Sequence, residues 1–344
     1  MKKLRDFLTE EEELSVLEQV NLAVKEIGGT LLFLGVSGSY LHGTADAQSD
    51  VDFKAWYQPS CSDILSSRAC QTVKLELEEA DLEVEVKPIT SFTECIEKTD
   101  TNLIDTLYTP ETYVLYSSEL WYKLSAQRKY ALSTSLTGMM EYMETHCADY
   151  DRKISAMREL QAIMDTFNRD AKYVRDAFDL DRFVEEGLVD IVDKGKFAKV
   201  RFKDKQFNLN APAEQFFYGI EKKFNGYGNR MKLTERNGYD AKALGHIYRV
   251  AFQCLDIAEN SHLSLPLEEN LAKKILEIKR SEMTQDLLDE LERTIEDVRQ
   301  CVKNIMAKSD LPEKPNAKLF EGIIVNHIFA KESLSAFNHY IASV

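Results

Sequence analysis

The chain has 344 residues, 44% apolar and 29% charged, with a formal net charge of −15. That balance belongs to a globular protein long enough for two domains, or for one domain with a large extension. It excludes a bilayer-spanning chain, because no apolar run approaches the roughly 18 residues a span needs, and a uniformly acidic surface is the wrong background for a generic nucleic-acid coat protein.

In chain order, the basic start Met1-Lys2-Lys3 runs into Glu10 to Glu13 and not into an apolar signal core, so a cytoplasmic protein is expected. Thr9 and Glu12 have the spacing of a capping box. Leu14, Leu17, Val20, Val24 and Ile27 then recur at helical intervals until Gly28-Gly29. The apolar run Leu31 to Leu34 predicts a buried strand that breaks at Gly35 into the turn Val36-Ser37-Gly38-Ser39. Val51 to Tyr57 predicts a second strand. Between Thr72 and Ile89 apolar and polar residues alternate on either side of Glu78 to Asp81, the pattern of a hairpin.

From about Ser117 the period becomes helical, with three or so helices up to Phe167. Strand-like alternation returns over 187–210, followed by helices over 213–224, 239–260, 267–280 and 284–307. Pro312 and Pro315 mark a loop before a short final helix. The expected fold is α+β: a small mixed sheet over 1–115, then a mainly helical domain over 116–344 with a basic β-hairpin insertion near 187–210. Six cysteines without a CxxC pair argue against a disulfide framework and a structural zinc site.

The chemistry concentrates in Gly38-Ser39, ten intervening residues, and Asp50-Val51-Asp52. Residues two apart on a strand share a face, so the two carboxylates project together and need a compensating cation to stay ionised. Magnesium (or manganese) ions bridged by such groups are a standard device for in-line phosphoryl displacement. Gly38 and Gly43 allow close backbone approach to a phosphate, and Ser39 can donate its hydroxyl.

The run Phe33-Leu34-Gly35-Val36-Ser37-Gly38-Ser39-Tyr40-Leu41-His42-Gly43, followed by Ser49-Asp50-Val51-Asp52-Phe53, resembles the signature of the polymerase-β-like nucleotidyltransferases. Within them it is similar to the bacterial and phage branch associated with RNA ligases and RNA repair. Phe92 through Asn102 to Tyr108, and the helix from Tyr239 to Asp256, also resemble that branch. The resemblance implies a third carboxylate on a neighbouring strand. Asp81, Glu83 and Glu85 share one polar face. Counting back from Phe92, Glu83 takes the place where the family has aspartate, with Glu85 in reserve. Asp50, Asp52 and Glu83 are thus the expected metal-binding and catalytic set, with an NTP as substrate and transfer of its NMP to a hydroxyl. The acceptor stays open between RNA, a protein and a small molecule, and a non-catalytic nucleotide-binding relative is the further alternative.

Two basic groups accompany the acids. Lys242, His246 and Arg249 share a helix face and could hold phosphates, Lys242 and His246 being placed at the nucleotide. Lys199, Arg201 and Lys203 alternate with apolar residues, a pattern that suits both single-stranded nucleic acid and a lysine-protected sheet edge. His42 fits a role lining the site or plain packing beside Gly43.

Overall fold

The computed structural model describes residues 8–47, 49–66, 70–77, 82–136, 138–141, 160–185, 190–193, 199–202, 205–225, 241–280 and 284–343. The expected α+β class is what forms: a mixed sheet with helices in the N-terminal part and a mainly helical remainder. The chain groups into two compact units that do not follow the division expected at 115/116. One joins residues 1–144 to 242–344, and the other is the stretch 145–241 between them.

The first unit opens with α1 (Glu10–Glu26), which Thr9 and Glu12 cap as a capping box. Its core-facing stripe is Val16, Val20 and Val24, spaced i, i+4, i+8. Leu14 and Ile27, which the periodicity would bury, are exposed instead. Then come β1 (Thr30–Val36), α2 (Gly38–His42), β2 (Val51–Gln58), α3 (Cys61–Leu65), β3 (Val73–Leu77) and β4 (Leu82–Pro88). They are followed by α4 (Phe92–Glu97), α5 (Thr101–Leu107), β5 (Val114–Ser117) and α6 (Glu119–Ser125).

The sheet order is β3-β4-β2-β1-β5. Only β2 and β4 run parallel; the other neighbours are antiparallel. The expected hairpin is β3–β4, and β5 (Val114–Ser117) ends where the helical period begins. Every residue of β1 after Thr30 is buried, because both faces of the sheet are covered. On one face Leu31, Leu34 and Val36 pack with the α1 valines, Phe53 and Val84. On the other, Phe33, Trp56, Phe92 and Trp121 form an aromatic cluster, with Phe33 stacked on Trp121 at 4.4 Å between centroids. A register shift between Leu31 and Phe33 puts consecutive apolar residues to use on both faces.

The second unit contains α7 (Leu180–Glu185), the antiparallel strands β6 (Asp190–Asp193), β7 (Lys199–Phe202) and β8 (Lys205–Asn208), and α8 (Ala213–Asn225). The expected hairpin is therefore a three-stranded sheet. Phe178, Phe183 and Phe216 anchor a separate core there.

The chain then returns to the first unit with α9 (Ala241–Asn260), α10 (Glu269–Arg280), α11 (Gln285–Met306) and α12 (Ala317–Ser343). The final helix is long, 27 residues, not short. Its buried Phe320 meets Phe92 at 5.7 Å, so the last helix completes the aromatic side of the N-terminal sheet. Among the described residues no helix is long and apolar enough to cross a membrane.

Candidate active site

β1 ends in a turn that the following strand holds in place: the Ser37 amide donates to the Asp52 carbonyl at 2.7 Å. Gly38 adopts φ +62, and a Cβ at this position would collide with Asp52 Oδ2 and stand 3.0 Å from its Cγ. Glycine therefore has two reasons to occupy 38, a left-handed backbone and a carboxylate pressed against its α-carbon. Gly43 closes α2 with φ +72, its amide donating to the Tyr40 carbonyl at 3.2 Å. It is a helix-ending residue beside Pro266, and its neighbours His42 and Thr44 line the cleft.

Asp50 lies just before β2 and is exposed, whereas Asp52 is half-buried on the strand. Across the parallel pairing Asp52 stands opposite Glu83, and Lys54 opposite Glu85. The register separates the two candidates for the third carboxylate. Glu85 is closed into an ion pair with Lys54, which holds its carboxyl below the usual range despite burial. Glu83 shares its register position with Asp52 and pairs outward with the exposed Lys74 at 3.1 Å. Asp81 lies outside the described residues.

Burial, then the charges of Glu83 and Asp50, push the Asp52 carboxyl above its ordinary value, against the opposing pull of Lys242 and Lys54. Among the described residues its carboxylate has no hydrogen-bond donor, and Ser37 Oγ, 6% exposed, has no partner either. As placed, no three Asp, Glu, His or Cys side chains among the described residues already close around an ion-sized point. What is present is an acid raised by burial and by its acidic neighbours, with an orphaned hydroxyl lining the same cleft, a donor set suited to an oxygen-loving divalent cation.

Gly38, Ser39, Asp50, Asp52, Glu83, Lys242 and His246 all line one cleft of about 590 Å³, a volume suited to a nucleotide-sized ligand. The helices α9 and α10 bring cations to it: Lys242, His246 and Arg249 from the first, Lys279 from the second. Lys199 and Arg201 lie on β7 of the second unit, and Lys203 lies outside the described residues.

Beneath the cleft is a buried polar cluster that the residue patterns did not assemble. Asp105, on α5, sits among apolar neighbours with its Oδ2 2.8 Å from His42 Nε2 and 3.1 Å from Arg249 Nη1. Gln253 Nε2 donates to its other oxygen at 2.8 Å. Arg249 Nη1 also reaches Gln253 Oε1 at 3.0 Å and His42 Nε2 at 2.8 Å. These donors and charges outweigh burial and hold Asp105 down at about 2. Burial and the guanidinium push His42 below its usual value, which keeps the imidazole neutral. Arg249, placed on the basic helix face, is thus committed to Asp105. An aspartate inside Leu103-Ile104-Asp105-Thr106-Leu107 was the available signal, since an acid in an apolar helix needs a partner.

No family model matches the chain. It is similar to a protein of Enterobacteria phage T4, described as an uncharacterized 38.9 kDa protein in the nrdC-mobD intergenic region. The two are 22% identical over 330 residues, covering 83% of this chain and 94% of the phage protein. That span is too long to be confined to the first unit, so the similarity takes in part of the inserted stretch as well.

Proposed function

We propose that the protein is a metal-dependent nucleotidyltransferase of the polymerase-β-like kind, moving the NMP of an NTP onto a hydroxyl of RNA with release of pyrophosphate. The supporting observation is the register of β2 on β4: Asp52 and Glu83 stand side by side on adjacent parallel strands, against the turn at Gly38. A reduced, cytoplasmic setting belongs to the same reading and agrees with the free thiols of Cys61, Cys70, Cys95, Cys254 and Cys301.

In this reading Asp50, Asp52 and Glu83 hold magnesium or manganese. When bound, the ion supplies charge neutralisation at the transferred phosphorus and at the leaving oxygen. The protein's own groups do the rest by positioning. Gly38 admits the phosphate chain to the backbone, and Ser39 donates its hydroxyl to the β- and γ-phosphates. Lys242 and His246 face the same chain from α9. Glu83, the most exposed of the acid pair, accepts the proton of the attacking hydroxyl.

The test is incubation with labelled NTPs, magnesium or manganese, and a panel of RNA ends, against an Asp50→Asn/Asp52→Asn double variant. Label appearing on RNA with the native chain alone is the expected result. No transfer above the variant on any RNA, with either metal, rejects the reading. The net charge of −15 favours a second acceptor class, a protein or small molecule, because it opposes approach of a polyanion. Mass spectrometry for a nucleotide adduct after incubation with ATP separates the two.

A further inference from the structure

The cations of the cleft divide into those the chain has already neutralised and those it has not. Lys54 is closed on Glu85, and Arg249 on Asp105. Lys242 and Lys279 have no ion pair among the described residues, yet each lines the cleft. Lys242 lies near enough to Asp52 to oppose the rise in its pKa, and near enough to Lys279 to depress that ammonium. It therefore acts electrostatically on both the acidic end of the cleft and Lys279.

Lys279 reaches this position because α9 carries glycine where the two helices cross. A Cβ on Gly245 would come within 3.2 Å of Lys279 Cγ and 3.6 Å of its Cε, so the lysine stem lies across the bare helix backbone. Its Nζ ends 3.4 Å from Thr44 Oγ1, just beyond α2. The groups facing it are Lys242 and Arg249 on α9, Asp46 after α2, and His42 at the end of α2. Asp46 is shared with Arg280, 3.3 Å away. Lys279 is thus half-buried with the exposed Lys242 as a like-charged neighbour, the counterpart in opposite sign of half-buried Asp52 beside exposed Glu83.

We infer that Lys242 and Lys279 form a polyphosphate subsite, in which the phosphate chain of the nucleotide runs from the acids past Lys242 to an ammonium seated over Gly245. This rests on the nucleotidyltransferase reading for the identity of the ligand, but not for the existence of the anion site. Lys279 acts as a binding residue; Gly245 is its positioning residue. Burial and the neighbouring cations hold the Lys279 ammonium at about 8, so without ligand its charge is lost as pH rises through that value. An anion between the two lysines adds a charge of opposite sign, which offsets burial and the neighbouring cations and keeps the ammonium protonated.

The experiment is calorimetric titration of the full chain with inorganic tripolyphosphate and magnesium. Lys279→Met weakens binding by at least about tenfold at pH near 7, and Lys279→Arg restores most of it. Between about pH 7 and pH 9.5 the native affinity falls, while that of Lys279→Arg stays level, because a guanidinium keeps its proton. Gly245→Ala retains every charge and gives an intermediate loss. Lys279→Met is expected to fold, since it replaces a disfavoured buried charge with an apolar stem; its melting temperature checks this. Native affinity in Lys279→Met overturns the subsite. Lys279 dependence seen with a 5′-phosphorylated oligoribonucleotide but not with tripolyphosphate overturns the assignment to the nucleotide. Transfer assays are scored separately: absent transfer with Lys279-dependent binding defeats the enzyme reading alone, and transfer with Lys279-independent binding defeats the subsite alone.

Discussion

At Asp105 the chain supplies an imidazole, a guanidinium and an amide within 3.1 Å; at Asp52 it supplies a second carboxylate across the strand and lysines only at a distance. Both acids lie along one cleft, yet the first is held far below its ordinary value and the second is pushed above it. Burial is common to both, so burial does not separate a structural acid from a functional one. What separates them is whether the counter-charge belongs to the chain or has to arrive from outside.

The contrast is sharpest in paired substitutions. Asp52→Asn should lower transfer by about a thousandfold while leaving the melting temperature level or higher, because the amide removes an unbalanced charge. Asp105→Asn should do the reverse. It strands Arg249 in a buried site and should cost about 3–5 kcal/mol in denaturant titration. If Asp105→Asn proves as stable as the native chain, the cluster is not the self-neutralised unit described here.

Gly38→Ala falls between the two. Placing a side chain at φ +62 and driving it into Asp52 should cost about 1–3 kcal/mol and reduce transfer together. Stability lost without activity lost would separate the turn from the acids.

Acidity offers a gentler probe. His42 has a depressed pKa in the folded chain, so its neutral form contributes stability fully above its ordinary value of 6.5. That contribution declines as pH falls below 6.5, because the unfolded chain takes up the proton first. Asp105 acts with the same sign but lower, losing its contribution between 3.8 and about 2. Melting temperature should therefore fall between about pH 7 and pH 5, and His42→Gln should flatten that slope. The smallest effect is expected at Glu85→Gln, which opens a partly exposed pair with Lys54 and should cost under about 1 kcal/mol with little change in transfer. Glu83→Gln, one pleat away, should lower transfer about a hundredfold. Equal effects at the two positions would remove the distinction that the strand register draws.

The acidic half of this comparison was legible in the residues, because period-two spacing and a glycine turn are local signals. Glu83 was singled out over Glu85 by family resemblance; the parallel pairing of β2 with β4 gives an independent physical reason, and a long-range pairing of that kind leaves no mark on either strand alone. Asp105, Gln253 and Lys279 went unread for the same reason, since their partners are 148 and 235 positions away in the chain. Lys279 did leave a trace: it continues the buried stripe Ala272, Ile275 of α10, a place where lysine is unusual. The change of period at Ser117 coincides with no boundary between the compact units, because helices from both sides of 145–241 cover the same sheet.

That arrangement has a consequence for biosynthesis. Phe92 and Trp121 leave the ribosome early, but Phe320, which packs on Phe92, is made after the whole of 145–241. The N-terminal sheet must wait with one greasy side uncovered while an independent core is translated in between. A nascent chain stalled before residue 317 should bind a holdase chaperone through that side, and release should coincide with emergence of α12.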